Sequence, residues 1–331
     1  MPAVYVSHPS DKLDHYFGAR ATEALRSLVE VRCNREAREL STAELVADAR
    51  GCDYLIAYRQ TTGPESLFRD WPELRAFIRC AMDIRTVDVA AASAHGVLVT
   101  RASAGFVPAV AEWIAAMMIN VGRDLVRHAE AGHRELPWTQ RMGRQLHGST
   151  LGVIGLGRIG RHLTGLAVAL GMRVVANDPN ASQAEASARL VSLPELLAES
   201  DFVVCLAPAS AENEKLLDAA AFAAMKPGAF FVNAARGELV DDDALLAALD
   251  AGHIGGCALD VGRAPDQMPT PALARHPRVL ATPHMGGLTL PAIEHQAMET
   301  VAQLGALLKG ELPPGAVNPE DARRWREDFP R

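Results

Sequence analysis

The stretch Thr150-Leu151-Gly152-Val153-Ile154-Gly155-Leu156-Gly157-Arg158-Ile159-Gly160 decides how the chain is read. An apolar run passes directly into a glycine-spaced turn, and a helical pattern from Arg158 to Leu170 opens from that turn. This is the spacing by which a strand, turn and helix hold a dinucleotide pyrophosphate with backbone alone. Gly155 permits the tight turn, Gly157 clears the place where phosphate approaches the main chain, and Gly160 lets helix and strand pack closely. The helix N-terminus, with the N–H groups of Arg158 and Ile159, would face the anion.

Three spaced glycines by themselves also describe an ordinary turn, and the context separates the two readings. The helical run stops at Gly171, and a β-rich run, Arg173-Val-Val-Ala-Asn-Asp178, follows it. Asp178 lies 18 residues after Gly160, near the spacing of about 20 expected of a carboxylate that hydrogen-bonds an adenosine ribose. Such a carboxylate repels a 2′-phosphate, and Pro179-Asn-Ala-Ser-Gln183 offers no Arg or Lys to hold one. The expectation is NAD rather than NADP; a capping role for Asp178 is the alternative.

A chain of 331 residues, 49% of them hydrophobic, has length and apolar content for two cores. Its formal net charge of −7 and the lack of a basic run with interleaved aromatics predict no nucleic-acid partner. Five cysteines, at 33, 52, 80, 205 and 257, are an odd number without a CxxC pair, as expected of reduced thiols and a cytoplasmic location. The N-terminus reads as a first strand rather than a signal peptide, and Glu112 interrupts the apolar stretch from Ala109 to Val121, so no membrane association is expected. The histidines show no metal-ligand spacing, and no metal is expected.

Short β-like runs alternate with helical segments over the first hundred residues: Val4–Val6, Val29–Val31, Tyr54–Ala57, Ala76–Ile78 and Val97–Val99, with helices at Ala19–Leu28 and Thr42–Ala49. A long helix is expected from Pro108 to about Arg127, then an irregular polar stretch from His128 to Ser149. After Asp178 the rhythm resumes with strands at 202–206, 229–233, 256–260 and 279–281, which makes six strands from Thr150 onward. A last helix spans Pro291 to Leu308, with a loosely packed tail from Glu311. This alternation predicts an α/β protein with two doubly wound parallel-sheet domains. The first would be discontinuous, 1–101 plus 289–331, around a second at 102–288.

Three side chains follow the late strands, where ligands of open α/β sheets bind. Arg236 stands in Asn233-Ala-Ala-Arg236-Gly237, Asp260 in Leu259-Asp260-Val261, and His284 in Thr282-Pro-His284-Met-Gly-Gly287. Alone, Arg236 reads as well as a surface ion pair and His284 as a packed turn histidine. Together with the glycine-rich turn, these segments resemble the D-2-hydroxyacid dehydrogenase family, whose hallmarks include N-x-A-R-G followed by L-V-D, then L-D-V and T-P-H-x-G. The resemblance covers most of the chain and is strongest from Gly152 to Gly287. It implies a Rossmann NAD-binding domain inserted in a flavodoxin-like substrate-binding domain, a homodimer, and a small 2-oxo or 2-hydroxy acid substrate held in a closing cleft.

The residue chemistry agrees with what the resemblance implies. A guanidinium holds a carboxylate in bidentate fashion and polarises the neighbouring ketone, which suits Arg236. A histidine near neutral pKa exchanges a proton as hydride moves, which suits His284 as general acid/base. Asp260 would orient the nicotinamide carboxamide, and Pro208 would shape the wall beside the adenosine. The helix bearing Val110, Trp113, Ile114 and Met117 offers an apolar face for the dimer, or equally a core stripe. Trp138 is expected to be a packing residue.

Two departures from the family pattern stand out. The glutamate expected five residues after the L-D-V aspartate is Pro265, with Asp266 beside it as a candidate substitute. A histidine without a carboxylate partner titrates lower, so an acidic limb in the rate profile is expected, and an NAD(H)-sensing binding protein with little turnover is the rival reading. The loop usually written G-x-G-x-D/N reads Ala81-Met82-Asp83-Ile84-Arg85. Arg85, helped by Arg101, would bind a second anionic group of the substrate, or would pair with Asp83 or Asp88.

Overall fold

The computed structural model describes residues 2–182 and 188–327, and Asp266 without its side chain; Gln183 lies outside the described residues. The chain divides into two compact units, 1–106 with 289–331, and 107–288. In the first, β1 (Ala3–Val6), β2 (Glu30–Cys33), β3 (Tyr54–Ala57), β4 (Ala76–Arg79) and β5 (Leu98–Arg101) form a parallel sheet in the order β2-β1-β3-β4-β5. β1, β3 and β4 are buried along their whole length, which is why β1 and β3 read as unbroken apolar runs rather than alternating ones and β4 as Ala76–Ile78 closed by the buried Arg79. Successive residues serve opposite faces. Val4, Val6 and Ile56 pack with Leu25, Val301 and Leu304, while Ala3, Tyr5 and Leu55 pack with Leu45, Phe68 and Trp71.

The second unit holds β6 (Thr150–Ile154), β7 (Arg173–Asn177), β8 (Arg189–Leu190), β9 (Phe202–Cys205), β10 (Ala229–Asn233), β11 (Ile254–Leu259) and β12 (Val279–Ala281). All pair in parallel in the order β12-β11-β10-β9-β6-β7-β8. The sheet has seven strands where the sequence suggests six. The additional β8 is two residues long and pairs only at the edge, too short to leave a hydrophobic pattern. From β6 the sheet grows one way through β7 and the other way through β9, so the chain reverses direction beside the glycine-rich turn, where such folds bind ligands.

Local chemistry sets several boundaries. Ser41 with Glu44 and Ser192 with Glu195 form capping boxes that start the helices Thr42–Asp48 and Leu193–Glu199. The long helix runs from Val107 to Arg123, not to 127, and is followed by a second helix, Leu125–His133, after Asp124 adopts a left-handed backbone (φ +55°). The second helix buries no residue, so its sequence carries no core-facing stripe and reads as irregular. Val110 and Ile114 lie in the core, which leaves the helix face less apolar surface than the dimer reading supposes.

The tail beyond Glu311 is not loosely packed, contrary to expectation. Asn318 accepts from Val99 N–H and donates to the Val97 carbonyl. Trp325 is buried, with its indole N–H on the Leu307 carbonyl. Scattered single anchors of this kind leave no periodic signal in a charged, proline-containing segment.

Candidate active site

The glycine-rich turn gives each glycine a distinct reason. Gly155 has φ +95°, and a Cβ there would lie 2.7 Å from the Ala207 nitrogen and the Leu206 carbonyl carbon. A Cβ on Gly160 would lie 2.4 Å from the Gly155 oxygen. Gly157 is different: its backbone is unstrained (φ −71°), and a Cβ would meet nothing within 4 Å. That space is a cradle at the N-terminus of the helix Arg158–Ala169, whose N-cap, Gly157, brings no side chain to its first N–H groups. Asp178, half-buried at the end of β7, accepts the Leu156 N–H on Oδ2 and the Asn180 N–H on Oδ1, both at 2.8 Å. It thereby holds the turn, and each oxygen keeps acceptor capacity for a ribose hydroxyl. Pro208 follows β9 and fixes the next loop through its carbonyl, which accepts from Asn213 Nδ2 at 3.0 Å. An open cradle, a helix N-terminus and a carboxylate beside them fit an adenine dinucleotide.

Arg236, Asp260 and His284 follow β10, β11 and β12, three adjacent strands of one sheet. Asn233 folds the turn that presents Arg236: its Nδ2 donates to the Arg236 carbonyl (2.9 Å) and its Oδ1 accepts from Ala235 N–H (3.0 Å). Arg236 Nη1 donates to the Ala235 carbonyl at 2.7 Å. Gly237 is pressed against the loop after Asp260, since a Cβ on it would lie 2.2 Å from the Gly262 carbonyl carbon.

Asp260 is buried, and its carboxylate organises the histidine loop. Oδ1 accepts from Thr282 Oγ1 (2.6 Å) and Met285 N–H (2.8 Å), and Oδ2 accepts from Gly286 N–H (2.7 Å). Those bonds flank His284, whose backbone is left-handed at φ +53°, a conformation that costs a non-glycine residue about 1 kcal/mol. The sequence suggests a cofactor-facing role for Asp260 and gives no sign of this bracing, because hydrogen bonds to Thr282, Met285 and Gly286 depend on β11 and β12 being neighbours.

Pro265 opens a short 3-10 turn, Pro265–Gln267, in a loop closed by Gly262 N–H to the Gln267 carbonyl (2.8 Å) and Ala264 N–H to the Met268 carbonyl (3.0 Å). Arg263 anchors that loop to Glu214 and to the Glu238 carbonyl, both at 2.8 Å. The side chain of Asp266, the candidate partner of His284, lies outside the described residues. Among the described residues, no three His, Cys, Asp or Glu side chains gather as a metal site, and no helix is long and apolar enough to cross a membrane.

In the first unit, Met82, Asp83 and Arg85 lie in the loop after β4. Arg85 Nη2 is 3.0 Å from Asp83 Oδ2, and the Arg85 N–H also bonds Asp83 Oδ1 at 3.0 Å. Arg101, at the exposed end of β5, accepts on its carbonyl from Gln303 Nε2 (2.9 Å). A residue the sequence does not single out, Arg79, ties this loop together. Its buried guanidinium donates to the carbonyls of Tyr58 (2.9 Å), Thr61 (2.5 Å), Arg59 and Asp83 (3.1 Å) and to Thr86 Oγ1 (3.0 Å). Burial lowers its pKa to about 10, which keeps it charged at neutral pH. The neighbouring His8 is held neutral, pushed down to about 3 by burial and then by the Arg79 charge. Trp138, expected to be a packing residue, is 75% exposed and touches Gly132.

Comparison with known proteins places this geometry. Residues 115–286 match the family model described as D-isomer specific 2-hydroxyacid dehydrogenase, NAD binding domain. The D-3-phosphoglycerate dehydrogenase of Mycobacterium tuberculosis is 36% identical over 280 residues, 83% of this chain and 53% of that protein. The chain spans about half the length of the curated relatives it matches. Among solved structures, the TT0316 protein of Thermus thermophilus superposes with TM-score 0.84 at 32% identity over 95% of this chain and 99% of the other. Apo D-lactate dehydrogenase of Escherichia coli superposes with TM-score 0.83 at 28% identity, over 96% and 100%. With the NAD-binding model matched over more than half its length, the chain belongs to the D-isomer specific 2-hydroxyacid dehydrogenase family.

Proposed function

We propose that the protein is an NAD-dependent oxidoreductase that interconverts a D-2-hydroxy acid and its 2-oxo acid. The observation that carries the reading is the placement of Arg236, Asp260 and His284 at the ends of three adjacent strands, in the same sheet as the Gly155–Gly160 cradle. When bound, NAD(H) supplies or accepts the hydride. The Arg236 guanidinium grips the substrate carboxylate and draws electron density from the carbonyl to be reduced. His284 gives its proton to the developing alkoxide in reduction and takes it back in oxidation. Asp260 fixes the loop on which that imidazole is mounted. Asp266 is the proposed carboxylate partner of His284, in place of the glutamate that Pro265 supplants. Family membership, and relatives that act on phosphoglycerate or lactate by name, support the reaction class and leave the acid open.

The first unit is the proposed substrate-binding domain, with Met82, Asp83 and Arg85 as its substrate loop. A homodimer is the proposed assembly, and the apolar side chains for it are Leu125, Val126, Leu136, Trp138 and Met142, all exposed. Five free cysteines, four of them buried, suit a reducing cytoplasm.

The test is NADH oxidation against 2-oxo acids from glyoxylate to branched and dicarboxylic ones, with wild type and His284→Ala. The expected result is turnover of at least one acid and a loss of about 10²- to 10⁴-fold in the variant. Tight NADH binding with no turnover would replace the enzyme by an NAD(H)-sensing binding protein.

A further inference from the structure

In the first unit, β3 and β4 are neighbours, and the loops that follow them leave the sheet at its carboxyl edge, where ligands of open α/β sheets bind. Arg79 is the last residue of β4, and its buried side chain reaches both loops. A guanidinium has five N–H donors, and here every one is used. Nη1 donates to the Tyr58 and Thr61 carbonyls, Nη2 to the Arg59 carbonyl and Thr86 Oγ1, and Nε to the Asp83 carbonyl. All of these acceptors are neutral. Burying a cation against neutral acceptors is costly, and an apolar side chain fills such a space without that cost. What the guanidinium adds is a rigid fork that holds several carbonyls in one fixed arrangement.

That arrangement bears on the loop after β4. At its start the Ala81 carbonyl accepts from Ala102 N–H (3.2 Å). At its end the Thr86 carbonyl accepts from Gly63 N–H (3.0 Å), and Asp88 N–H donates to the Gly63 carbonyl (2.8 Å). Between these pins Arg79 Nε holds the Asp83 carbonyl at 3.1 Å. The N–H groups of Ala81 and Met82 donate to nothing among the described residues, and Met82 is exposed. The stretch that Arg79 steadies thus keeps two successive main-chain donors for an anionic ligand.

We propose that Arg79 is a positioning residue for the 2-oxo acid: by clamping the loops after β3 and β4 onto one guanidinium, it sets the Ala81 and Met82 N–H groups where they receive the anionic substrate. The inference rests on the reading of Met82, Asp83 and Arg85 as the substrate loop. Arg79 itself handles neither the hydride nor the proton. Loosening it therefore weakens capture of the acid and leaves NADH binding, which belongs to the second unit, unchanged.

The test is steady-state 2-oxo acid reduction and NADH titration with wild type, Arg79→Lys, Thr86→Val and Met82→Pro. Arg79→Lys keeps the charge and loses the fork. It should raise KM for the acid about tenfold, hold kcat within about threefold and leave the NADH Kd unchanged, whatever it does to the unfolding midpoint. Thr86→Val removes one acceptor and leaves the buried charge in place; it should raise KM about two- to threefold at a near wild-type thermal midpoint, and it decides the matter if Arg79→Lys does not fold. Met82→Pro deletes one free N–H and reports whether the loop meets substrate at all. Unchanged KM in Arg79→Lys and Thr86→Val overturns the proposal and leaves Arg79 a purely structural residue, as does a fall in kcat larger than the rise in KM. If Met82→Pro still raises KM, the substrate-loop reading survives that failure; if it does not, the loop reading falls as well.

Discussion

Replacing Asp260 by Asn changes one atom of the histidine loop's support. The carboxylate receives three donors, Thr282 Oγ1–H and Met285 N–H on Oδ1 and Gly286 N–H on Oδ2. An asparagine offers one oxygen. Kept toward Thr282 and Met285, it turns its NH₂ toward the Gly286 N–H; rotated, it turns the NH₂ toward the Met285 N–H. Either way one hydrogen bond to a charged acceptor, worth about 1.5–3 kcal/mol, becomes a donor facing a donor, and the two remaining bonds lose their charge assistance. The loss totals roughly 2–4 kcal/mol. The left-handed backbone of His284, at φ +53°, can then relax toward an ordinary conformation and recover about 1 kcal/mol. The expected outcome is a fall in urea unfolding free energy within that range, together with a drop of about 10²-fold or more in kcat as the imidazole leaves its place. Equilibrium denaturation and steady-state 2-oxo acid reduction check both. A variant with wild-type stability and wild-type kcat would refute the idea that Asp260 holds the loop.

Other expectations concern the cradle, the substrate loop and the acid limb of stability. Gly157→Ala should keep the thermal midpoint and lose NADH binding, because its Cβ meets nothing within 4 Å in the protein and enters the phosphate space; Gly155→Ala should be destabilised by several degrees, from φ +95° and contacts of 2.7 Å. Calorimetry and NADH titration separate the two. Arg85→Ala should raise KM about tenfold for an acid with a second anionic group and cost less than about 1 kcal/mol of stability, since its pair with Asp83 is solvent-exposed; an unchanged KM for every acid accepted would remove Arg85 from the substrate loop. His8, packed against Phe17 and Tyr58 and titrating at about 3 when folded, takes a proton more readily in the unfolded chain. Stability should therefore fall as pH drops from about 6.5 toward 3, by up to about 1.4 kcal/mol per pH unit from this group. In His8→Phe that contribution should vanish from unfolding curves taken across the window.

Which parts of this molecule are legible in its sequence follows from how far each feature reaches along the chain. Gly155, Gly157 and Gly160 serve a turn built from consecutive residues, so their spacing alone fixes the geometry. β1 and β3 are unbroken apolar runs because helices cover both faces, and that burial is written directly into the strands. Arg236 and His284 could be singled out because each follows a strand within a recognisable segment. What tertiary structure alone decided depends on neighbours distant in sequence. β8 exists only as a partner of β7. The tail is anchored by Asn318 to β5, more than 200 residues away, and by Trp325 to the end of the preceding helix 18 residues back. Arg79 ties the loop after β3 to the loop after β4 through carbonyls, which no residue pattern encodes. The bracing of the His284 loop by Asp260 arises because β11 and β12 lie side by side. Sequence spacing can specify a turn or a buried strand; it cannot specify which donors and acceptors separate segments bring to one place.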